Sequence, residues 1–333
     1  MSTRTKTHHY KSKVKDLQIT CATENHQIVK GGSYTTNDGV EVDIQQEVQD
    51  AIENSVHYHH NHVLPSRRSV KREVYYDTKF SLVNCGSIQA AIDIHQTFNH
   101  NDEDDNCASK VTRSNHIGIL NFASAKNPGG GYKSGSSAQE ESLCRSSLLY
   151  PCLHQFEERQ NHYYRINRSK QNQFGTFFSN CAIFSPLVPI IRDDGPNMSL
   201  SPNKVLCSFV TSPAPNKSAL KQQQKKRNAD SSILSSQDQR KLQNVMEERI
   251  LRILTIFEMN GCTDLILGAF GCGVFGNDPE FVAAAFRKII NWSFKGVFCS
   301  ITFAIWTPPP LANPMECSNY SAFANELSVL KDK

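Results

Sequence analysis

Residues 120–151 read LNFASAKNPGGGYKSGSSAQEESLCRSSLLYP and join an apolar, strand-like run to a helix through a glycine-rich loop. The consecutive glycines Gly129, Gly130 and Gly131 allow positive φ angles and let the backbone approach a ligand closely. The N–H groups of such a loop can bind phosphate or ribose oxygens. Because ligands of α/β proteins usually bind where strands end, the stretch predicts an α/β fold with a ligand site here.

Two adjacent acids, Glu140 and Glu141, follow the loop at the start of the predicted helix, which begins near Gln139. Their side chains point about 100° apart on a helix, so they serve different tasks. Hydrolysis of a glycosidic bond needs a carboxyl that protonates the leaving oxygen and then, as a carboxylate, activates water. A neighbouring carboxylate raises the pKa of such a group, whereas the positive end of a helix lowers it. A second interpretation stays open, because Gln-Glu-Glu is also typical of an ordinary helix start.

A second glycine-rich loop lies in residues 264–290, which read DLILGAFGCGVFGNDPEFVAAAFRKII. Asp278 is a candidate N-cap and Pro279 suits the first helical position, so the pattern predicts a strand, a loop and a helix. The loop N–H groups can bind a diphosphate without a lysine, and the stretch lacks the ending of an ATPase P-loop. The alternatives are a tight turn without a ligand and, for Phe275, an ordinary core side chain instead of one that stacks on the ligand.

The rest of the chain alternates short apolar runs with helical patterns. Strand-like runs cover 116–123, 204–210, 264–270 and 300–306, and apolar residues recur at helical spacing over 149–156, 246–257 and 282–289. Pro151 predicts a kink or break in the first of these helices. This alternation predicts an α/β sheet that is covered by helices on both faces.

Composition excludes several classes of protein. The net charge of +4 is too small to indicate nucleic-acid binding by itself, and no window approaches 18 apolar residues. The eleven cysteines contain no CxxC pair, and the N-terminus has no apolar signal-peptide core, so we expect a cytoplasmic or nuclear protein. Apolar residues at helical spacing predict a further helix over 42–56. The histidines of 57–62 adjoin the end of that helix and have no Cys or carboxylate at ligand spacing, so we predict no metal site there. The run Arg192-Asp193-Asp194 is a paired-charge turn without an assigned role.

Several blocks together resemble one family, the microbial-type poly(ADP-ribose) glycohydrolases. The first block is NFASAKNPGGG…AQEESLCRSSLLYP, in which seven residues separate GGG from QEE. The others are SPLVPIIRDDG (185–195), VTSPAPN (210–216) and LGAFGCGVFGNDP (267–279). They occur in the family's order, and the resemblance extends from about Leu17 to Trp306.

The resemblance implies a macrodomain-like three-layer α/β/α sandwich with a mixed central sheet. We expect a helical N-terminal extension over 1–70, a catalytic domain over 71–307 with a polar, disordered insertion at 216–237, and a C-terminal tail over 308–333. Glu141 is then the general acid and base, and Glu140 binds a ribose hydroxyl. The predicted ADP-ribose-binding residues are Asn127, Gly129, Gly130, Gly131, Gln139, Gly271, Gly273, Val274, Phe275 and Gly276.

The implied function is exo-acting hydrolysis of the ribose–ribose bonds of poly(ADP-ribose), which releases ADP-ribose without a cofactor. The expected partners are the polymer or ADP-ribosylated proteins, with no membrane and no direct DNA binding, and the protein is expected to be a monomer. Two other functions stay open: a reader that binds ADP-ribose without cleaving it, and a hydrolase of mono-ADP-ribose. Reading alone does not need two glutamates, which favours the enzyme.

Overall fold

The computed structural model describes residues 3–65, 75–104, 116–169, 173–227, 234–307 and 313–331. Its helices are α1 (Thr3–Gly31), α2 (Gln45–Glu53), α3 (Ser87–Asp104), α4 (Gln139–Ser146), α5 (Leu149–His154), α6 (Tyr163–Arg168), α7 (Lys217–Arg227), α8 (Ser236–Met259), α9 (Pro279–Ser293) and α10 (Ser318–Lys331). Its strands are β1 (Ser33–Thr35), β2 (Glu41–Asp43), β3 (Val56–Tyr58), β4 (Lys79–Val83), β5 (Ile117–Phe122), β6 (Ala182–Arg192), β7 (Leu200–Ser212), β8 (Asp264–Leu267) and β9 (Ser300–Ala304).

Seven strands form one mixed sheet in the order β3-β6-β7-β5-β8-β9-β4, while β1 and β2 form a separate hairpin. Strands β7, β5, β8, β9 and β4 run parallel to one another, whereas β6 is antiparallel to both β7 and β3. The prediction of a mixed central sheet is confirmed.

Apolar residues cover both faces of this sheet, as its central strands require. In β5, Ile119 packs in the cluster that contains residues of α2 to α5, and the next residue, Leu120, packs in the cluster of α8 to α10. Ile266 and Leu267 of β8 divide in the same way. Since successive strand residues point to opposite faces, these two clusters are the inner surfaces of a three-layer α/β/α sandwich. The predicted architecture is therefore confirmed.

The four predicted strands correspond to β5, β7, β8 and β9, but β6 was not predicted. Its sequence contains Pro186 and Pro189, which normally argue against a strand between two neighbours. The pairing of β6 with β7 shifts register between Ser185 and Val188, and Leu187 has a φ of 45°. A bulge thus accommodates Pro186 within a strand that is otherwise largely buried.

The prediction that Pro151 would break its helix was wrong. Pro151 lies in the first turn of α5, where a backbone N–H has no partner within the helix and a proline is tolerated. The chain instead turns between α4 and α5, at Ser147 and Leu148. There the Leu148 N–H donates to the carbonyl of Pro189 in β6 (3.0 Å), which fixes the end of α4 against the sheet.

The predicted extension, insertion and tail all contain regular structure. Helix α1 occupies most of the first 31 residues, and β3 joins the edge of the main sheet. The predicted insertion at 216–237 is helical over Lys217–Arg227, so the expectation of disorder was wrong there, while 228–233 lie outside the described residues. In the tail, α10 contacts α9 and β4 and buries Phe323, and 308–312 lie outside the described residues. The domain bounds themselves stay a prediction.

Across the described ranges, no helix combines the length and the apolar character that crossing a bilayer requires.

Candidate active site

The predicted loops meet at one cleft. The carboxyl ends of β5, β8, β9 and β4 lie at the same edge of the sheet, and the loops that follow them line a cleft of about 950 Å³. Glu140 and Glu141 both line it, together with residues of both glycine-rich loops. This volume lies in the range typical of small-molecule and cofactor sites.

The first glycine loop is shaped around the two acids. Gly129 and Gly130 have φ angles of 65° and 56°, a conformation that favours glycine. A Cβ on Gly130 would lie 2.5 Å from Glu141 Oε1 and 3.2 Å from Glu140 Oε2. Gly130 and Gly131 line the cleft, whereas Gly129 packs beneath it against Tyr150 and Cys144. Gly130 and Gly131 therefore let the backbone lie close to the two carboxyl groups.

Glu141 is held by this loop while it lines the cleft. Its side chain is largely buried, at 8% exposure, and the Gly131 N–H donates to Glu141 Oε1 (2.8 Å). One turn later on α4, the buried Arg145 guanidinium interacts favourably with the Glu141 carboxylate. A carboxyl that is oriented through one oxygen beside a cleft can exchange a proton with a bound ligand.

Glu140 lies deeper, with an exposure of 2%. The Ser124 N–H donates to its Oε2 (2.6 Å), and Asn121 Nδ2 donates to its Oε1 (3.4 Å). Burial raises the pKa of Glu140 to about 8, although both hydrogen bonds favour the charged form. The two adjacent acids thus have different environments, as their different directions on the helix predicted.

Gln139 joins α4 to β5. Its Oε1 accepts from the Phe122 N–H (2.9 Å), and its Nε2 donates to the carbonyl of Leu120 (2.8 Å) and to Ser87 Oγ (3.2 Å). The amide thereby holds the first residue of α4 against the end of the strand. It also lines the cleft, and its predicted contact with ADP-ribose stays a prediction.

Asn127 is exposed at the edge of the cleft. Its N–H donates to Ser124 Oγ (3.1 Å), and its carbonyl accepts from the Gly130 N–H (3.0 Å). Arg168 Nη2 donates to its Oδ1 (3.4 Å). The side chain is accessible from the cleft. Its contact with ADP-ribose stays a prediction.

The second glycine loop is anchored on the segment that follows β7. Gly271 and Gly276 have φ angles of 74° and 64°, and their Cα atoms pack against Ala214 and Ser218. Asn277 Nδ2 donates to the carbonyls of Pro215 (2.9 Å) and Gly271 (3.1 Å), which closes the loop.

Four of the five predicted residues of this loop line the cleft: Gly271, Gly273, Val274 and Phe275. Gly276 does not line the cleft and packs against Ser218. Val274 is 84% exposed, and Phe275 contacts Phe178 with ring centroids 5.8 Å apart. Phe275 therefore has a packing partner as well as a face toward the cleft, and the two interpretations from the sequence are compatible.

The structure adds cleft residues that sequence reasoning missed. These follow β4 and β9 and include Asn84, Ser87 and Trp306. Asn84 Oδ1 accepts from the Thr307 N–H (2.8 Å) and from Thr307 Oγ1 (2.6 Å), which ties the two loops together. The strand-like run that ends at Trp306 was a usable signal, since residues at strand ends line such sites.

The Arg192-Asp193-Asp194 run lies between the cleft and α1. Asp194 lines the cleft beside the start of α3, and burial raises its pKa. Arg192 does not line the cleft, and its guanidinium donates to Asn25 Oδ1 (3.0 Å) and Glu24 Oε2 (2.7 Å) of α1.

The prediction that the histidines of 57–62 adjoin a helix end was wrong. Helix α2 ends at Glu53, and His57 lies in β3. His57 and His162 pack with ring centroids 4.8 Å apart, and burial lowers the pKa of His57 to about 3. Within the described residues, no group of three or more potential ligands is arranged to hold a metal ion.

The family model for the catalytic domain of microbial-type PARG, poly(ADP-ribose) glycohydrolase, matches residues 22–193. This range contains the first glycine loop and both glutamates. No curated protein matches the chain.

Solved structures of bacterial PARG are similar over most of the chain. PARG from Thermomonospora curvata is 28% identical with a TM-score of 0.73, over 93% of this chain and 98% of that one. The same enzyme bound to the inhibitor ADP-HPD is 29% identical with a TM-score of 0.73, over 92% and 98%. PARG from Deinococcus radiodurans in complex with ADP-ribose is 30% identical with a TM-score of 0.65, over 85% and 98%.

Proposed function

We propose a glycosidase mechanism for this chain, which belongs to the family of microbial-type poly(ADP-ribose) glycohydrolases. The substrate is poly(ADP-ribose), and the reaction hydrolyses the bond between two riboses and releases ADP-ribose. The observation that carries the proposal is the meeting of both glycine loops with Glu140 and Glu141 at one cleft.

ADP-ribose fits this cleft if its diphosphate lies against the loop of Gly271 and Gly273 and its distal ribose against Gly130 and Gly131. Backbone N–H groups in such loops bind phosphate and sugar oxygens. The complexes of the bacterial relatives with ADP-ribose and ADP-HPD support a ligand of this class. The cleft of about 950 Å³ suits a single ADP-ribose unit, so we propose that cleavage proceeds from the polymer end.

Glu141 is the proposed general acid. In its protonated form it donates its proton to the 2′-oxygen of the leaving ribose while the bond from that oxygen to the anomeric carbon breaks. Positive charge develops on the anomeric carbon and its ring oxygen, as in other glycosidases. The Glu141 carboxylate then takes a proton from water as the water oxygen bonds to the anomeric carbon, which restores the acid.

Glu140 is the proposed positioning acid for the same sugar. Its pKa of about 8 keeps it mainly protonated at neutral pH before substrate binds. A neutral carboxyl can donate a hydrogen bond to a ribose hydroxyl oxygen as well as accept one. The Ser124 N–H and Asn121 Nδ2 fix its orientation.

The test is release of ADP-ribose from purified polymer by the unchanged protein and by Glu141→Gln. The amide oxygen of glutamine can still accept the Gly131 hydrogen bond, so the variant should fold and bind ADP-ribose. Loss of general acid–base catalysis should lower its activity by about 10²- to 10⁴-fold.

Two results would replace the proposal. If the unchanged protein binds ADP-ribose but releases none from polymer, the protein is a reader. If it cleaves mono-ADP-ribosylated protein and leaves polymer intact, it is a mono-ADP-ribosyl hydrolase.

We further propose that the protein acts as a monomer in the cytoplasm or nucleus, without binding DNA directly. The scattered cysteines and the small net charge support this assignment.

A further inference from the structure

We infer that α7 is an electrostatic docking surface for the part of the polymer beyond the ADP-ribose unit in the cleft. This inference rests on the proposed function, because it takes poly(ADP-ribose) as the substrate. It assigns a role to the helical part of the predicted insertion, which the mechanism does not use.

Helix α7 concentrates positive charge. Its eleven residues read KSALKQQQKKR, with five cations and no acid. Lys221, Lys225 and Lys226 are exposed. The ion pairs within the described ranges involve other cations, so these lysines keep their charge available to an external anion.

The helix is fixed to the loop that we assign to the diphosphate. The Ser218 N–H donates to the carbonyl of Phe275 (2.9 Å), and Ser218 packs against Gly276. Asn216 Oδ1 caps the helix by accepting from the Ala219 N–H (2.8 Å). Leu220 is buried in a small cluster with Phe177 and Leu242. These contacts hold the charged face at a defined place beside the cleft.

A further cation lies on the same side. Lys241 of α8 lies over the Phe177 ring with its Nζ 4.7 Å from the ring centroid, and Phe177 belongs to the cluster that anchors α7. The positive surface therefore extends from α7 onto the neighbouring helix.

The distances suit an extended polyanion. Lys221 and Lys225 follow Ser218 by about 5 and 11 Å along the helix axis. The screening length at physiological ionic strength is about 8 Å, so Lys221 acts on phosphates beside the loop and Lys225 acts on phosphates further along the polymer. Every further unit of poly(ADP-ribose) adds two phosphates, whereas free ADP-ribose fills only the cleft. A docking surface outside the cleft consequently favours longer polymer.

The test compares Lys221→Gln/Lys225→Gln with a matched control, Lys79→Gln/Lys295→Gln. The control lysines are also exposed but lie near the amino ends of β4 and β9, at the sheet edge opposite the cleft. Release of ADP-ribose is measured at several salt concentrations from long polymer and from a dimer of ADP-ribose. Binding of long polymer is measured separately in the Glu141→Gln background.

We expect the α7 variant to raise KM for long polymer roughly three- to tenfold at low salt and to keep kcat. For this variant, the slope of log KM against the logarithm of the salt concentration should be smaller by about one to two, since two phosphate contacts are removed. The dimer and the control variant should show neither change.

Unchanged KM and salt dependence on long polymer would overturn the inference. An equal loss in the control variant, or on the dimer, would also overturn it, because the charge effect would then be general or confined to the cleft. Loss of retention of single-stranded RNA with unchanged polymer kinetics would assign α7 to RNA instead. If the unchanged protein releases no ADP-ribose, the proposed function fails, and polymer binding by the Glu141→Gln proteins still decides the role of α7.

Discussion

Gly130 is the glycine at which an added Cβ would collide with Glu141 and crowd Glu140. Its φ of 56° and the 2.5 Å separation between a built Cβ and Glu141 Oε1 leave no room for a side chain. Gly130→Ala should therefore displace Glu141 and lower the rate of ADP-ribose release roughly 10²-fold, the low end of what general acid–base catalysis contributes. The measurement is kcat on polymer, together with the free energy of unfolding.

Gly39→Ala is the matched control for Gly130→Ala. Gly39 also has a positive φ, of 82°, but lies in the turn between β1 and β2, with nothing within 4 Å of a built Cβ. Both variants should lose about 1–2 kcal/mol of stability from the left-handed conformation, but only Gly130→Ala should lose activity. Equal activity in the two variants would show that Glu141 does not depend on this approach.

Glu140 should make the stability of the protein depend on pH. Its pKa is raised from 4.5 to about 8, so between these values the folded protein holds a proton that the unfolded chain has released. The stabilising effect of that proton is complete below pH 4.5 and is lost as the pH rises through 8. In Glu140→Gln, the free energy of unfolding should fall less steeply with pH in this window, by up to about 1.4 kcal/mol per pH unit.

Urea denaturation at pH 5, 6, 7 and 8 measures this difference. Glu47→Gln is the control, because the hydrogen bond from Lys204 lowers the pKa of Glu47 and its effect appears as the pH falls below 4.5. His57, whose pKa is lowered, has the opposite sign but is present in every variant. Parallel curves for the unchanged protein and Glu140→Gln between pH 5 and 8 would contradict the prediction.

At the residue scale, sequence predicted which acids and glycines lie together but not their environments. The glycine triplet and the Glu140–Glu141 pair are local in sequence, so the pattern was sufficient to place them at one loop and helix start. The burial of Glu140 and its hydrogen bonds to Ser124 and Asn121 depend on how α4 packs on β5, which no local pattern specifies. The bonding of Gln139 to the Leu120 carbonyl was missed for the same reason.

Helix α4 carries both acids and is held at both ends by other elements. Gln139 bonds its start to β5, and Asn25 Nδ2 of α1 donates to the carbonyls of Cys144 (3.3 Å) and Arg145 (2.7 Å) near its end. Arg192 of β6 in turn donates to Asn25 Oδ1. The N-terminal helix therefore helps to support the helix that carries both acids.

Asn25→Ala should remove this support. Two carbonyls near the end of α4 and the Arg192 guanidinium lose a buried partner, which should cost about 1–3 kcal/mol of stability and also lower kcat. Thermal unfolding and polymer kinetics measure the two effects.

Asn54→Ala is the control for Asn25→Ala, since Asn54 Nδ2 also donates to a helix carbonyl, that of Asp50 (2.8 Å), but at an exposed site on α2. Its effect on stability should be smaller and kcat should not change. If Asn25→Ala keeps the full kcat of the unchanged protein, α1 supports stability and not the activity of α4.

At the element scale, periodicity found the strands and helices whose buried residues are apolar. It missed α1 as a long helix, because the buried stripe of α1 includes the polar residues Gln18 and Asn25. It missed β6 because Pro186 and Pro189 argue against a strand. In both cases tertiary contacts compensate for a local feature that contradicts the pattern.

For the whole molecule, the decisive fact is the strand order. Because β5 and β8 are adjacent and parallel, two loops that are more than 130 residues apart in sequence open onto one cleft. Periodicity predicted an α/β sheet but could not give this adjacency, and it was the family resemblance that implied the macrodomain-like arrangement. The function therefore depends on a long-range pairing that the structure supplies.

The measurement that tests the central claim most directly is a crystal structure of the Glu141→Gln variant with ADP-ribose. We predict the diphosphate against the backbone of Gly271 and Gly273, and the anomeric hydroxyl of the distal ribose within hydrogen-bond distance of residue 141. A diphosphate bound away from the second glycine loop, or a distal ribose out of reach of that side chain, would contradict the account.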